Sequence, residues 1–124
     1  MDAPDETTLL ISAGKVQGTD VYSTGGEKLG DIYDVMLDKR SGRIAYAIMA
    51  FGGILGIGKQ YHPLPWQTLK YDTRQEGYVV GLTKEALEGG PAFGTDDRPA
   101  WGNRAYEQSI HDYYKTQPYW ASAL

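Results

Sequence analysis

The pattern of apolar and polar positions predicts a chain built mostly from short β-strands. Over residues 28–38 successive side chains alternate between two faces, with Ile32, Asp34 and Met36 assigned to one of them. Residues 43–51 are apolar at almost every position, as expected for a central strand that is buried on both faces. Turn-forming residues interrupt such segments about every eight to twelve positions. The pattern therefore predicts a mainly β fold, a small antiparallel β-barrel.

The glycine-rich segment at residues 52–58 is predicted to be a loop between two strands rather than a phosphate-binding loop. Two of its glycines and the lysine that follows have Walker A spacing, but Gln60 stands where that motif requires a Ser or Thr hydroxyl. Pro63 and Pro65 then prevent the helix that a phosphate loop must open. We therefore expect no nucleotide, and we assign the prolines to an edge strand or a bulge.

Helical periodicity is confined to two short segments in the second half of the chain. Thr83 is placed to cap a one-turn helix over residues 84–87, which the following glycines would end. A second helix is predicted over about residues 104–115, because large side chains there recur at the spacing of one helix face. These side chains are Tyr106, Ile110, Tyr113 and Tyr114.

Three parts of the chain follow from these elements. Residues 1–14 are predicted to form an N-terminal arm, residues 15–93 the barrel domain, and residues 94–124 a tail that contains the short helix. The apolar residues 9–11 of the arm are expected to lie against the barrel or to extend it by a strand.

Composition and charge exclude several classes of partner and site. The chain has 124 residues, 41% of them hydrophobic, and a net charge of −4, so neither nucleic acid nor an anionic membrane surface is an expected partner. It has no cysteine, which excludes disulfides and thiolate chemistry. Its first residues are acidic, unlike a signal peptide, and no apolar run approaches the ~20 residues of a membrane-spanning helix. We expect a cytoplasmic protein without direct membrane insertion.

Residues that could carry chemistry are few and isolated. His62 and His111 are the two histidines, and no ligand set accompanies either one in the sequence. Asp31, Asp34 and Asp38 lack the spacing and glycine of a calcium loop, and Asp38 is better placed to cap its own turn. No serine has the context of a nucleophile. We therefore predict no catalytic residue, no bound metal and no cofactor, and we do not expect an enzyme.

The aromatic content is the feature that points to a function. Ten tyrosines and three tryptophans are many for this length, and both residue types are favoured at interfaces. We expect Tyr46 and Tyr78 to belong to the core. For the aromatic residues of the tail, the sequence is equally consistent with docking on the barrel and with contact with a partner. These residues are Trp101, Tyr106, Tyr113, Tyr114, Tyr119 and Trp120.

The glycine loop carries the other candidate interaction residues. Ile54, Leu55 and Ile57 stand on a loop at the end of the barrel, where they either fold back as a plug or face a partner. Trp66 on the neighbouring strand and Ile110 on the tail helix complete the candidate set. A two-fold dimer would let such loops cover one another, so we expect a homodimer that buries the loop, the Trp66 strand or the tail.

Several of these segments together resemble the PRC-barrel domain family. The likeness is carried by residues 22–32 (YSTGGEKLGDI), by the glycine loop, and by the proline–tryptophan segment 63–66. It extends over about residues 15–93, and the tail is also similar to tails of stand-alone bacterial members. The resemblance implies a small β-barrel that holds protein partners, as in the reaction centre H subunit and in a ribosome maturation factor. The membrane helix of the former and the RNA-processing domain of the latter are not recognised in this sequence.

The function expected from these observations is a non-catalytic protein-interaction or scaffold module that associates with itself. Two alternatives remain open at the level of sequence. One is a peripheral regulatory subunit of a membrane or photosynthetic electron-transfer complex. The other is a small enzyme or ligand binder that uses a pocket at the mouth of the barrel.

Overall fold

A single curled sheet forms most of the molecule, as seen in a computed structural model that describes residues 6, 7, 9–51, 59–97 and 99–122. The strands of this sheet are β1 (Asp20–Ser23), β2 (Lys28–Leu37), β3 (Ile44–Phe51), β4 (Gln60–Pro65), β5 (Leu69–Asp72) and β6 (Gly77–Val80). The predicted mainly β fold is confirmed, and β2 and β3 agree within one residue with the predicted segments 28–38 and 43–51.

The order of the strands explains why the sheet curls. They are arranged β4-β3-β2-β1-β6-β5, so β4 and β5 form the two edges. Only the 3-10 turn Trp66–Thr68 separates these two strands along the chain. The sheet must therefore bend until its edges approach each other at this turn. Most neighbouring strands are antiparallel as predicted, but β1 and β6 pair in parallel. Through this pairing, β1 joins the β5–β6 hairpin to the rest of the sheet.

Strand β2 departs from the simple alternation that the sequence predicts. Its register with β3 shifts between Ile32, which pairs with Met49, and Asp34, which pairs with Ile48. Tyr33 is thus an extra residue in a β-bulge, and 56% of its surface is exposed. Because Met49 and Ile48 point to opposite faces of β3, so do Ile32 and Asp34. The assignment of these two residues to one face was wrong.

Close packing between strands also constrains β2 at Gly30. A Cβ atom at this position would collide with the backbone carbonyl of Ala50 on β3. Glycine is required here because of the neighbouring strand, not because of an unusual backbone angle. The two prolines of β4 lie on an edge strand, as predicted.

Three α-helices and a second 3-10 turn, Tyr119–Ser122, complete the described fold. The α-helices are α1 (Ala13–Val16), α2 (Lys84–Glu88) and α3 (Arg104–Tyr114). The Thr83 Oγ1 caps α2 by accepting a hydrogen bond from the amide of Ala86 at 3.0 Å, which confirms the predicted cap. Helix α1 was not predicted. It forms because the Ser12 hydroxyl accepts from the amide of Lys15, a cap too local and a helix too short for periodicity to reveal.

The N-terminal arm contacts the domain less than expected. Ile11 pairs with Glu6 in an isolated bridge and packs against the core. Thr7 turns the chain by accepting hydrogen bonds from the amides of Leu9 and Leu10 at its Oγ1. This turn directs both leucine side chains outward, and Leu9 is 91% exposed. Leu9 and Leu10 therefore neither lie against the barrel nor extend it by a strand, and the expectation was wrong for these two residues.

The hydrophobic core joins the sheet to the helices. One large cluster contains Ile32 and Met49 of the sheet together with Leu87 of α2 and Ile110 of α3. A smaller cluster around Ile48 lies on the other face of β3. The tail is therefore packed onto the barrel domain rather than separate from it.

Candidate interaction site

Helix α3 packs on the domain through a face that carries two ionisable side chains. The buried positions follow the spacing i, i+3, i+4 and i+7, which is one face of an α-helix. These positions are Glu107, Ile110, His111 and Tyr114. Tyr113, one of the four large side chains on the predicted helix face, is 41% exposed and donates a hydrogen bond from its hydroxyl to the carbonyl of Ala86 at 2.6 Å. The buried face thus shares Ile110 and Tyr114 with the predicted face and also contains Glu107 and His111.

The two ionisable side chains meet a buried tyrosine of the sheet. The Tyr46 hydroxyl donates to the Glu107 Oε1 at 2.9 Å and lies 2.9 Å from the Nε2 of His111. The second ring nitrogen of His111, Nδ1, is 2.8 Å from the Thr116 Oγ1. The other carboxylate oxygen of Glu107 accepts from the amide of Gly102 at 3.3 Å. This Tyr46–Glu107–His111 network fastens both ends of α3 to β3.

Burial sets the protonation states in this network. It lowers the pKa of His111 below its ordinary value, against the opposing effect of Glu107, so the imidazole is neutral at pH 7. Burial, reinforced by the hydrogen bond to Glu107, raises the pKa of Tyr46 well above its ordinary value. The hydroxyl of Tyr46 thus stays protonated and donates its hydrogen to Glu107. The hydroxyl oxygen is then left to accept from the Nε2–H of His111.

An aromatic cluster surrounds Tyr46. Its ring lies 5.3 Å from that of Trp101 and 5.8 Å from that of Tyr119, measured between centroids. The guanidinium of Arg104 lies 3.9 Å from the ring centroid of Trp120, which is a cation–π distance. The structure thus brings together four of the six tail aromatics proposed for interaction, namely Trp101, Tyr106, Tyr119 and Trp120. Tyr113 and Tyr114 instead pack against each other beside α2, away from this cluster.

An open cleft of about 1120 Å³ separates this cluster from the β2–β3 hairpin. We call it the tail cleft. Leu37, Lys39, Arg40 and Arg43 line it on the hairpin side, and Trp101, Arg104, Tyr119 and Trp120 line it on the tail side. Leu37 is 55% exposed. The cleft therefore combines apolar surface with cationic side chains.

The remaining predicted interaction residues occupy other positions. Trp66 is half-buried and packs edge-on against Tyr78 at 5.2 Å between ring centroids, so it serves the core. Tyr46 and Tyr78 are buried, which confirms their assignment to the core. Tyr106 is half-buried beside Trp101. Ile54, Leu55 and Ile57 lie outside the described residues.

The second histidine, His62, lies in β4 and is buried. Burial lowers its pKa, although the backbone of Pro91 offers it a hydrogen bond. Among the described residues, its Nδ1 has no hydrogen-bond partner. No group of three or more potential metal ligands is found within the described ranges.

Glu107, His111 and the hairpin cations are the residues that the sequence analysis missed as parts of this site. Glu107 and His111 share one helix face with the apolar residues Ile110 and Tyr114. Helical spacing alone therefore did not decide whether this face or the one with Tyr106 and Tyr113 is buried. The sequence analysis did not consider polar residues for the buried face of α3. Nothing in the local sequence indicates that Tyr46 is the hydrogen-bond partner that Glu107 and His111 require.

Comparison with known families agrees with the fold. The PRC-barrel domain family matches residues 10–87, which extend from just before α1 into α2. The chain belongs to this family, which confirms the resemblance found in the sequence. No curated protein matches the chain. Within the part of the chain that the structure describes, no helix is long and apolar enough to cross a membrane.

Proposed function

We propose that this protein is a non-catalytic protein-interaction or scaffold module of the cytoplasm, and that it associates with itself. The observation that carries the proposal is the tail cleft, where aromatic side chains and the exposed Leu37 form one open surface. Partly exposed aromatic groups in a cleft are typical of protein interfaces, because they bury a large area at a small entropic cost.

The polar groups beneath the cleft support a structural role rather than catalysis. Tyr46, Glu107 and His111 are buried, and their hydrogen-bonding atoms are engaged by one another, by the backbone of Gly102 and by the Thr116 hydroxyl. A catalytic acid or base needs to reach a substrate, whereas these groups hold the tail in place. The tail wall of the cleft is therefore preorganised, which reduces the entropic cost of binding.

Self-association is supported by apolar side chains that the domain leaves in solvent. Leu37 and Tyr33, both on β2, are more than half exposed, and Leu9 and Leu10 project from the arm. A two-fold axis would let one such surface meet its own copy. The glycine loop with Leu55 is the other proposed contact.

Light scattering on matched variants tests this proposal. The wild-type chain is expected to have about twice the 13.7 kDa mass of the monomer. Leu37→Asp and Leu55→Asp are the test variants, and Thr73→Asp introduces the same charge at an exposed turn residue. Dissociation by Leu37→Asp places the contact at the cleft, and dissociation by Leu55→Asp places it at the loop. A monomeric wild type at all concentrations would refute self-association.

A further inference from the structure

We propose that the tail cleft binds an acidic polypeptide segment that carries an apolar side chain. The inference rests on the proposed interaction function and adds the chemistry of the partner. It follows from a contrast between the charge of the cleft and the charge of the whole chain.

The cleft is cationic although the protein is acidic. The chain has a net charge of −4, but Lys39, Arg40, Arg43 and Arg104 all line the cleft. They come from two separate segments, the hairpin and the start of α3, which only the folded tail brings to opposite walls. A cationic cleft on an anionic protein attracts an anionic ligand and disfavours a cationic one.

The carboxylates in the same cleft are already engaged within the protein. Asp38 accepts from the Ser41 hydroxyl at 2.7 Å and from the Arg40 amide at 3.3 Å. The hydrogen bond from Ser41 is the main reason that the pKa of Asp38 lies below its ordinary value. Glu107 is buried against Tyr46. Neither carboxylate forms an ion pair with the hairpin cations.

The hairpin cations are available to a ligand. In the described part of the chain the ion pair joins Lys28 to Asp20 at 3.1 Å, and neither residue lines the cleft. Lys39, Arg40 and Arg43 are exposed and form no ion pair with a described residue. The charge of Arg40 acts on Asp38 at a distance, but no carboxylate contacts Lys39, Arg40 or Arg43 within the described residues. A carboxylate in the cleft would therefore gain contacts without breaking an existing ion pair.

The apolar part of the cleft sets the second requirement on the ligand. Leu37 at its edge is 55% exposed, and Trp101 and Trp120 are half-buried on the opposite wall. An aliphatic or aromatic side chain between these walls would cover the leucine and the parts of both indoles that remain in solvent. Such an anchor contributes most of the affinity in small interfaces, while the surrounding charges select the partner.

A polypeptide matches the cleft better than a nucleic acid does. Binding of single strands requires free ring faces on which bases stack. Here the Arg104 guanidinium lies over Trp120 at 3.9 Å, and Trp101 packs against Tyr46 and Tyr106. The overall charge of −4 would also repel a long polyanion, whereas a short acidic segment meets only the local cations.

The test is a titration of the full chain with a blocked synthetic nonapeptide of Asp and Glu around a central Leu-Phe pair, followed by tryptophan fluorescence and calorimetry. We expect a dissociation constant on the order of 100 µM in low salt, weakening as salt screens the charges. Lys39→Glu/Arg43→Glu should weaken binding about tenfold or more, and Leu37→Ser should weaken it as well. Lys70→Glu/Arg74→Glu changes the net charge equally outside the cleft and should retain affinity.

Several results would overturn the proposal. They are equal affinity for the Asn/Gln version of the peptide, equal loss in the control double variant, or no binding by a folded wild type. Tighter binding of a thymidine decanucleotide or of phosphatidylserine vesicles would assign the cleft to those ligands instead. If the peptide fails while light scattering still shows self-association, the partner class is wrong and the interaction function stands.

Discussion

Removal of a single oxygen atom, in Tyr46→Phe, is expected to loosen the tail from the sheet. The Tyr46 hydroxyl is the donor to Glu107 and the partner of the His111 Nε2, both at 2.9 Å. A hydrogen bond to a charged group contributes about 1.5–3 kcal/mol and a neutral one about 1 kcal/mol. Because both partners stay buried after the substitution, we expect the free energy of unfolding to fall by about 3 kcal/mol.

Urea denaturation followed by tryptophan fluorescence measures this change, since Trp101 packs directly on Tyr46. Tyr114→Phe is the matched control. Its hydroxyl is buried without a hydrogen-bond partner among the described residues, so the same atom is removed at no loss of a hydrogen bond. The control should leave the free energy of unfolding unchanged or raise it by up to about 1 kcal/mol.

The reasoning would be refuted if Tyr46→Phe cost less than about 0.5 kcal/mol, which is below the range for even one neutral hydrogen bond. Equal losses in the two variants would also contradict it, because they would reflect the aromatic packing and not the network. A double-mutant cycle with Glu107→Gln then measures the coupling of the hydroxyl to the carboxylate.

Three further predictions follow from the same structure. Truncation after Phe93 should lower the melting temperature or cause aggregation, because it exposes the surface that α3 covers; an equally stable, soluble fragment would contradict this. Gly30→Ala should lower the melting temperature strongly in a thermal scan because its Cβ collides with β3, whereas Gly81→Ala, which meets no neighbour, should not. His62 and His111 have pKa values below the ordinary 6.5 in the folded state, so the unfolded chain takes up protons first as pH falls. The free energy of unfolding should therefore be level just above about pH 6.5 and decline below it, and a decline that persists when both histidines are replaced by Gln would show another origin.

Local patterns predicted most of the secondary structure because their causes are local. Turn residues and alternation placed β2 and β3, and the Thr83 hydroxyl marked the start of α2. The bulge at Tyr33 could not be predicted in this way, because it exists only in the pairing of β2 with β3. The parallel pairing of β1 with β6 likewise depends on the closure of the whole sheet.

The site was only half visible in the sequence for the same reason. Excess aromatic residues in the tail pointed to the correct segment, but the orientation of α3 depends on Tyr46, which is 61 residues from Glu107. A helix with Glu107 and His111 on its buried face is stable only because that distant hydroxyl satisfies both. In the sequence, the cations near Arg40 are typical turn residues. Their position opposite Trp120 becomes apparent only in the folded protein, where the tail forms the other wall of the cleft.

The central claim, that the tail cleft is the surface through which this protein acts on other proteins, is tested most directly by photo-crosslinking in the native host. A benzophenone amino acid would replace Leu37 at the edge of the cleft and, separately, Thr73 at an exposed turn outside it. The account predicts discrete protein adducts from position 37, lost when Lys39→Glu/Arg43→Glu is added, and none of these adducts from position 73. The same adducts at both positions, or none at position 37, would contradict it.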